Sequence, residues 1–284
     1  MRVALAINLA MLAVAVVGGI VTGSLAVLAD AGHVLSDVGS IVLGLLAASL
    51  AARPGSASRT FGLQRSEVLA ALVNGLALVA IAVLVAVAAV NRLGDPPDVE
   101  GAGVLAIGLF GLAGNVAATW VLARGDRADL NLEGVLRHSF ADALGSLAVI
   151  VAGALILGPG WLAADPIAGL AVAALILASS VRLVLEPLGV LMEAAPAGLD
   201  VDELGRAMCA VPGVSSVHEL HVWTVTPGFV AFSAHVVVES ADRDQTRREI
   251  EYLLSDQYGI EHTTLQIEEA VPEGELLQVA EEPD

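Results

Sequence analysis

Between Val3 and Ala52 almost every position is apolar, a run long enough for two membrane spans of about 20 residues each. Gly18-Gly19 and Thr22-Gly23-Ser24 break it, predicting helices over 3–23 and 25–50. Arg53-Pro54-Gly55-Ser56 ends the pair. A third apolar segment covers 66–92 and stops at Gly94-Asp95-Pro96-Pro97, and a fourth covers 100–123. After the polar loop Arg124–Asn131 a fifth runs over 133–157 and closes at Gly158-Pro159-Gly160. The sixth opens at Asp165-Pro166, read as an N-cap followed by a first-turn proline, and continues to about Leu185.

Beyond that point the period changes. Leu199–Val211 reads as a helix. Val217–Thr226 and Phe229–Glu239 alternate as strands around a Pro227-Gly228 turn. Arg243–Tyr258 is an amphipathic helix and Thr263–Glu268 a last strand. The order αββαβ suits a three-stranded sheet with helices on one face. The predicted fold is therefore a membrane all-α six-helix bundle followed by a small α/β domain. The expected boundaries are 1–190 for the bundle, 191–270 for the second domain and 271–284 for an acidic, disordered tail.

Composition agrees with the membrane reading. Of 284 residues, 56% are hydrophobic and only 15% charged, too apolar for an ordinary soluble domain. From Ala195 onward there are 18 acids against 4 arginines, leaving 13 acids and 9 arginines before it. An apolar first part thus carries an acidic, water-soluble last part. A net charge of −18 excludes a nucleic-acid partner, whose phosphates would be repelled. Arginines cluster in the loops after the second and fourth helices (Arg53, Arg59, Arg65; Arg124, Arg127), with Arg92 alone on the other side. The positive-inside rule then puts both termini in the cytoplasm. The first apolar run continues past signal-peptide length and is taken as a retained span. The single cysteine, Cys209, cannot form an intramolecular disulfide and reads as a small core residue.

Ionisable residues inside spans are costly and face a cavity or a partner. Helix two carries His33 and Asp37; helix five carries His138 and Asp142. In both, the acid follows the imidazole by four residues, which places the two on one helix face. Two such helices facing each other offer four ligands. Two carboxylates offset a divalent charge and two neutral imidazoles complete a tetrahedral shell, a set that suits zinc better than calcium or magnesium. The alternative is a pair of His–Asp hydrogen bonds fastening helices together. Asn8, Asn74 and Asn115 are expected interhelical hydrogen-bond partners. Asp165 reads as a cap, and Asp30 as a cap or a residue on the exit path.

Several stretches together resemble the cation diffusion facilitator family from about residue 3 to 269. They are Gly23–His33 through Asp37, Phe61–Glu67, His138 with Asp142, Ala164–Pro166 and Gly213–Trp223. The resemblance implies a dimeric, six-span proton/metal antiporter with a cytosolic metallochaperone-like, ferredoxin-like domain. It places the transported ion on His33, Asp37, His138 and Asp142, and a His at position 33 is similar to the zinc-preferring version of the site. No cofactor is bound permanently; zinc is the transported substrate and a candidate regulator. The expected location is a bacterial inner membrane. The loop 53–66 has no histidine, so the second metal site that some members carry there is expected to be absent, and 124–131 lacks the histidine-rich loop of other relatives.

The second domain holds His218, His221, His235 and His262. By simple alternation His218 and Leu220 share one strand face and His221 the other. His235 with one of His218 or His221 is the preferred set, and Glu268 can complete it. His262 stands one residue away from where some relatives place a ligand, which would turn it to the wrong face. The function expected from all of this is proton-coupled zinc efflux by alternating access, without enzymatic activity. Two rivals remain: an intramembrane zinc hydrolase, and a metal sensor whose spans serve only as an anchor.

Overall fold

The computed structural model describes residues 2–123, 132–239 and 242–269, with side chains for all of these except 2–5, 121–123 and 132–139. The chain divides into two compact units, Met1–Pro187 and Leu188–Asp284.

The first unit is built of helices α1 (Arg2–Thr22), α2 (Leu25–Ala51), α3 (Ser66–Leu93), α4 (Gly101–Ala123), α5 (Leu132–Leu157) and α6 (Ala164–Leu191). Five of them, α2 to α6, are long and apolar enough to cross a membrane, and α1 adds a shorter apolar stretch, Ala6–Thr22. Each helix satisfies its own backbone hydrogen bonds, which lipid cannot do. α6 passes through Pro187 and ends beyond the expected Leu185.

α2 lies in both packed clusters of this unit. Ala26 and Ala31 pack with Val104 of α4 and Val149 of α5, while Ala29 packs with Leu78 of α3 and Ile176 of α6. Small residues let the backbones approach closely, the usual source of helix attraction in lipid. α4 and α5 meet at glycines: a Cβ on Gly153 would lie 2.5 Å from the Leu105 backbone nitrogen. Two of the asparagines bridge helices as expected. Ser36 donates to Asn74 Oδ1 at 2.9 Å, and Asn115 Nδ2 donates to Ser146 Oγ at 3.2 Å.

Asp165 is a cap, but not of its own helix. α6 begins at Ala164, one residue earlier than expected, and Asp165 is fully buried. Its carboxylate accepts hydrogen bonds from Ser24 Oγ (2.5 Å) and from the backbone N–H groups of Leu25 (2.8 Å) and Ala26 (3.2 Å). These are among the orphan donors that open α2. Ser24 in turn accepts from Val27 N at 3.1 Å. Arg92, in the last turn of α3, donates to the Gly23 carbonyl at 2.8 Å and stands 3.8 Å from Asp165 Oδ2. One acid on α6 therefore fixes the start of α2, with α3 supplying the counter-charge.

The second unit has the order α7 (Val201–Cys209), β1 (Val214–Thr226), β2 (Phe229–Val238), α8 (Arg243–Tyr258) and β3 (His262–Glu269). The sheet order is β1-β2-β3, with β1 antiparallel and β3 parallel to β2. The parallel pair needs a crossover, and α8 is that connection. Phe232, Ala234 and Val236 of β2 pack against Met208 of α7 and Ile250 and Leu254 of α8. Both helices thus cover one face of the sheet, leaving Ser233, His235 and Val237 on the other. Cys209 is exposed rather than in the core. Its neighbour Met208 takes the buried position, and the next residue of a helix is rotated about 100° away.

β1 does not alternate regularly. Glu219 has φ 49°, and the register shifts between His218, opposite His235, and His221, opposite Ser233. One extra residue on β1 makes a bulge. Cross-strand partners share a face, so His218 and His221 lie on the same face of the sheet, contrary to simple alternation.

Candidate metal centres

On α2, His33 and Asp37 stand one turn apart, and α5 brings Asp142 to them. His33 Nδ1 is 3.4 Å from Asp37 Oδ2 and 3.7 Å from Asp142 Oδ1. One ligand atom from each of the three lies within 4.8 Å of the others. Bonds of about 2.1 Å to zinc put tetrahedral ligand atoms about 3.4 Å apart, so the spacing fits one ion without rebuilding either helix. The side chains are only 14–23% exposed. His138 falls within α5, four residues before Asp142, but its side chain lies outside the described residues.

A pocket opens beside this cluster. Asp30 and His33 of α2, Asp142 and Gly145 of α5, and Ile176 and Ser179 of α6 line it. Asp30 and Ser179 were not among the residues expected at the site. Asp30 was legible in principle, because a residue three before His33 lies on the same helix face. Ser179 carried no such signal, since nothing local marks which face of α6 turns inward to α2.

The second cluster lies on the open face of the sheet. His218 Nε2 is 3.1 Å from Glu268 Oε2, and His235 Nδ1 is 2.8 Å from Glu268 Oε1. The two imidazole centroids are 5.1 Å apart. The register explains the convergence: His218 is directly opposite His235, and Glu268 pairs with Val237 on the parallel side. Gln266 Nε2 donates to Glu268 Oε1 at 2.8 Å. That hydrogen bond, followed by those from His218 and His235, holds the Glu268 carboxyl below the usual glutamate range.

The other two histidines stay apart from it. His221 shares the face but lies beside Glu219, 3.4 Å from its carboxylate. His262 pairs with Ala231, four residues along β2 from His235, and its ring meets Phe229 edge-on at 5.3 Å. In the parallel register it lies on the same face as Glu268, so its distance along the strand, not the wrong face, separates it from the cluster.

Long apolar helices that turn imidazole and carboxylate groups into their bundle define an integral membrane protein with a polar, ion-sized interior site. Residues 1–192 match the cation efflux transmembrane domain, and residues 196–270 match the cytoplasmic domain of cation efflux proteins. The chain belongs to the cation efflux family, a family of transporters rather than hydrolases. It is 42% identical over 258 residues to the zinc transporter ZitB of Escherichia coli (strain K12), covering 90% of this chain and 82% of that protein. It is 39% identical over 260 residues to the cadmium, cobalt and zinc/H(+)-K(+) antiporter of Bacillus velezensis, covering 89% of this chain and 83% of that one. Among solved structures, the metal-bound C-terminal domain of the CzcD transporter is 35% identical, covering 25% of this chain and 99% of its own, with a TM-score of 0.23.

Proposed function

We propose that this chain exports zinc from the cytosol in exchange for protons. The observation that carries the reading is the convergence of His33, Asp37 and Asp142 within 4.8 Å among apolar helices. Kinship with transporters named for zinc supports it.

In this reading α1 to α6 are six spans with both termini in the cytoplasm, and His138 is the fourth ligand of a tetrahedral site. Open to the cytosol, the site gives up protons and takes the ion, because metal ligation requires neutral imidazole and ionised carboxylate. Open to the outside, it releases zinc and is reprotonated. Two carboxylates balance the ion's charge, so the loaded site carries no net charge through the apolar bundle. His218, His235 and Glu268 form a zinc site through which the ferredoxin-like cytosolic domain senses metal, and that domain joins two copies of the chain. The expected location is a bacterial inner membrane. A hydrolase would need a general base beside an open metal position, and the sequences of α2 and α5 contain no glutamate except Glu133.

The test is the purified chain in liposomes with zinc-sensitive and pH-sensitive dyes inside. Zinc movement should be matched by opposite proton movement. His33→Ala and His138→Ala should abolish both while leaving the melting temperature unchanged. Zinc flux with no proton counterflow would exclude the exchange.

A further inference from the structure

Asp30 is an acid inside the bundle for which the three-residue cluster has no use. It lies on the same face of α2 as His33 and Asp37 and lines the same pocket as His33, Asp142 and Ser179. Its carboxylate is not part of the group whose ligand atoms lie within 4.8 Å of one another. Among the described residues no hydrogen bond or salt bridge engages it. Such a group inside a membrane bundle is costly unless it serves an ion.

Its surroundings leave room for one. The carboxylate sits between α4 and α5 at two glycines: a Cβ on Gly145 would lie 3.5 Å from Asp30 Oδ1, and one on Gly111 would lie 3.7 Å from Oδ2. No side chain projects from either position toward the acid. Ser179, across the pocket on α6, donates its hydroxyl hydrogen to the Ile176 carbonyl at 2.9 Å. Its oxygen lone pairs thus remain available as a ligand.

We infer that Asp30 is a second cation-binding station, occupied by the divalent ion, partly hydrated, after it leaves His33, Asp37 and Asp142. The inference rests on the efflux reading. In that topology Asp30 lies on the outer side of His33, so the station speeds release. Oxygen ligands alone, with water, bind zinc more weakly than the imidazole-containing cluster, as a departure station requires.

The experiment compares wild type, Asp30→Asn and Asp30→Glu at full length. Zinc affinity is measured in detergent, and KM and maximal rate in liposomes. Asp30→Asn should bind zinc at the cluster as wild type does, with KM unchanged and the maximal rate down about tenfold, equivalent to ~1.4 kcal/mol in the barrier. Asp30→Glu should recover most of the rate. An unchanged rate, or a loss of cluster affinity that parallels the loss of rate, overturns the inference. A second readout does not depend on transport by these variants. With both clusters disabled (His33→Ala, Asp142→Asn, His235→Ala), weak zinc binding should persist and should vanish when Asp30→Ser is added; no residual binding also overturns the inference. Absence of zinc flux in the wild type would instead overturn the efflux reading itself.

Discussion

Asp165, in the first turn of α6, accepts the hydroxyl hydrogen of Ser24 at 2.5 Å across 141 residues of sequence. The helix start it fixes carries His33 and Asp37 within its next four turns, so the site's position along the bundle depends on this contact. Asp165→Ala removes the acceptor for Ser24 and two backbone N–H groups and leaves Arg92 without its acid. A loss of about 3 kcal/mol is expected, as for breaking a buried pair. Ser24→Ala, which removes only the hydroxyl, should cost about 1 kcal/mol. Thermal unfolding in detergent measures both. Equal effects would mean that Asp165 does not hold the helix start.

Selectivity at the membrane cluster should follow the chemistry at position 33. His33→Asp replaces an imidazole nitrogen with a carboxylate oxygen beside Asp37 and Asp142. Carboxylate oxygen is less selective for zinc than the imidazole nitrogen it replaces. Zinc-over-cadmium preference should fall about tenfold, or ~1.4 kcal/mol, in competition transport assays. An unaltered ratio would show that His33 does not contact the ion.

Glu268 sets an acid limit for the sheet cluster. Its folded pKa lies below that of a free glutamate, so folding favours the charged form. That contribution is present at neutral pH and is lost only as pH falls through the lowered value. In a carboxyl-carbon NMR titration of the full chain, the Glu268 midpoint should lie below that of free glutamate. Gln266→Ala should move it upward, and by more than His218→Ala, because the Gln266 hydrogen bond is the largest cause. A midpoint unmoved by Gln266→Ala would contradict the assignment.

Gly153 marks how closely α5 must approach α4. With a Cβ there only 2.5 Å from Leu105 N, Gly153→Val forces the helices apart. Overpacking of this kind costs about 1–3 kcal/mol and moves Asp142 relative to His33. A lower melting temperature together with a raised KM for zinc is the expected result, measured on one preparation in detergent and in liposomes. A variant as stable as wild type would show that the crossing is looser than described.

Much of this protein was legible along the chain. A span in lipid must satisfy its own backbone and present apolar side chains, so the helices appear as uninterrupted apolar runs whose ends fall within a few residues of those observed, apart from α6, which runs on to Leu191. The His–Asp spacing is equally local: four residues put His33 and Asp37 on one face of any α-helix. The strands of the second domain, and the α8 crossover, followed from alternation and turn residues. What failed was information carried by a distant partner. Asp165-Pro166 looked like a self-contained helix start, yet its acid belongs to α2. Alternation along β1 separated His218 from His221 until the bulge at Glu219 returned them to one face.

The sequence by itself determined the elements and the chemistry they carry, because hydrophobic period and residue spacing act over one or two turns. Only the tertiary structure decided which charged groups meet: Asp142 with His33, Glu268 with His218 and His235, Asp165 with Ser24, and Asp30 at a gap between two glycines. The physical reason is range. Side-chain contacts between helices or strands are set by crossing, register and the room that small residues leave, and none of these is written at any single position.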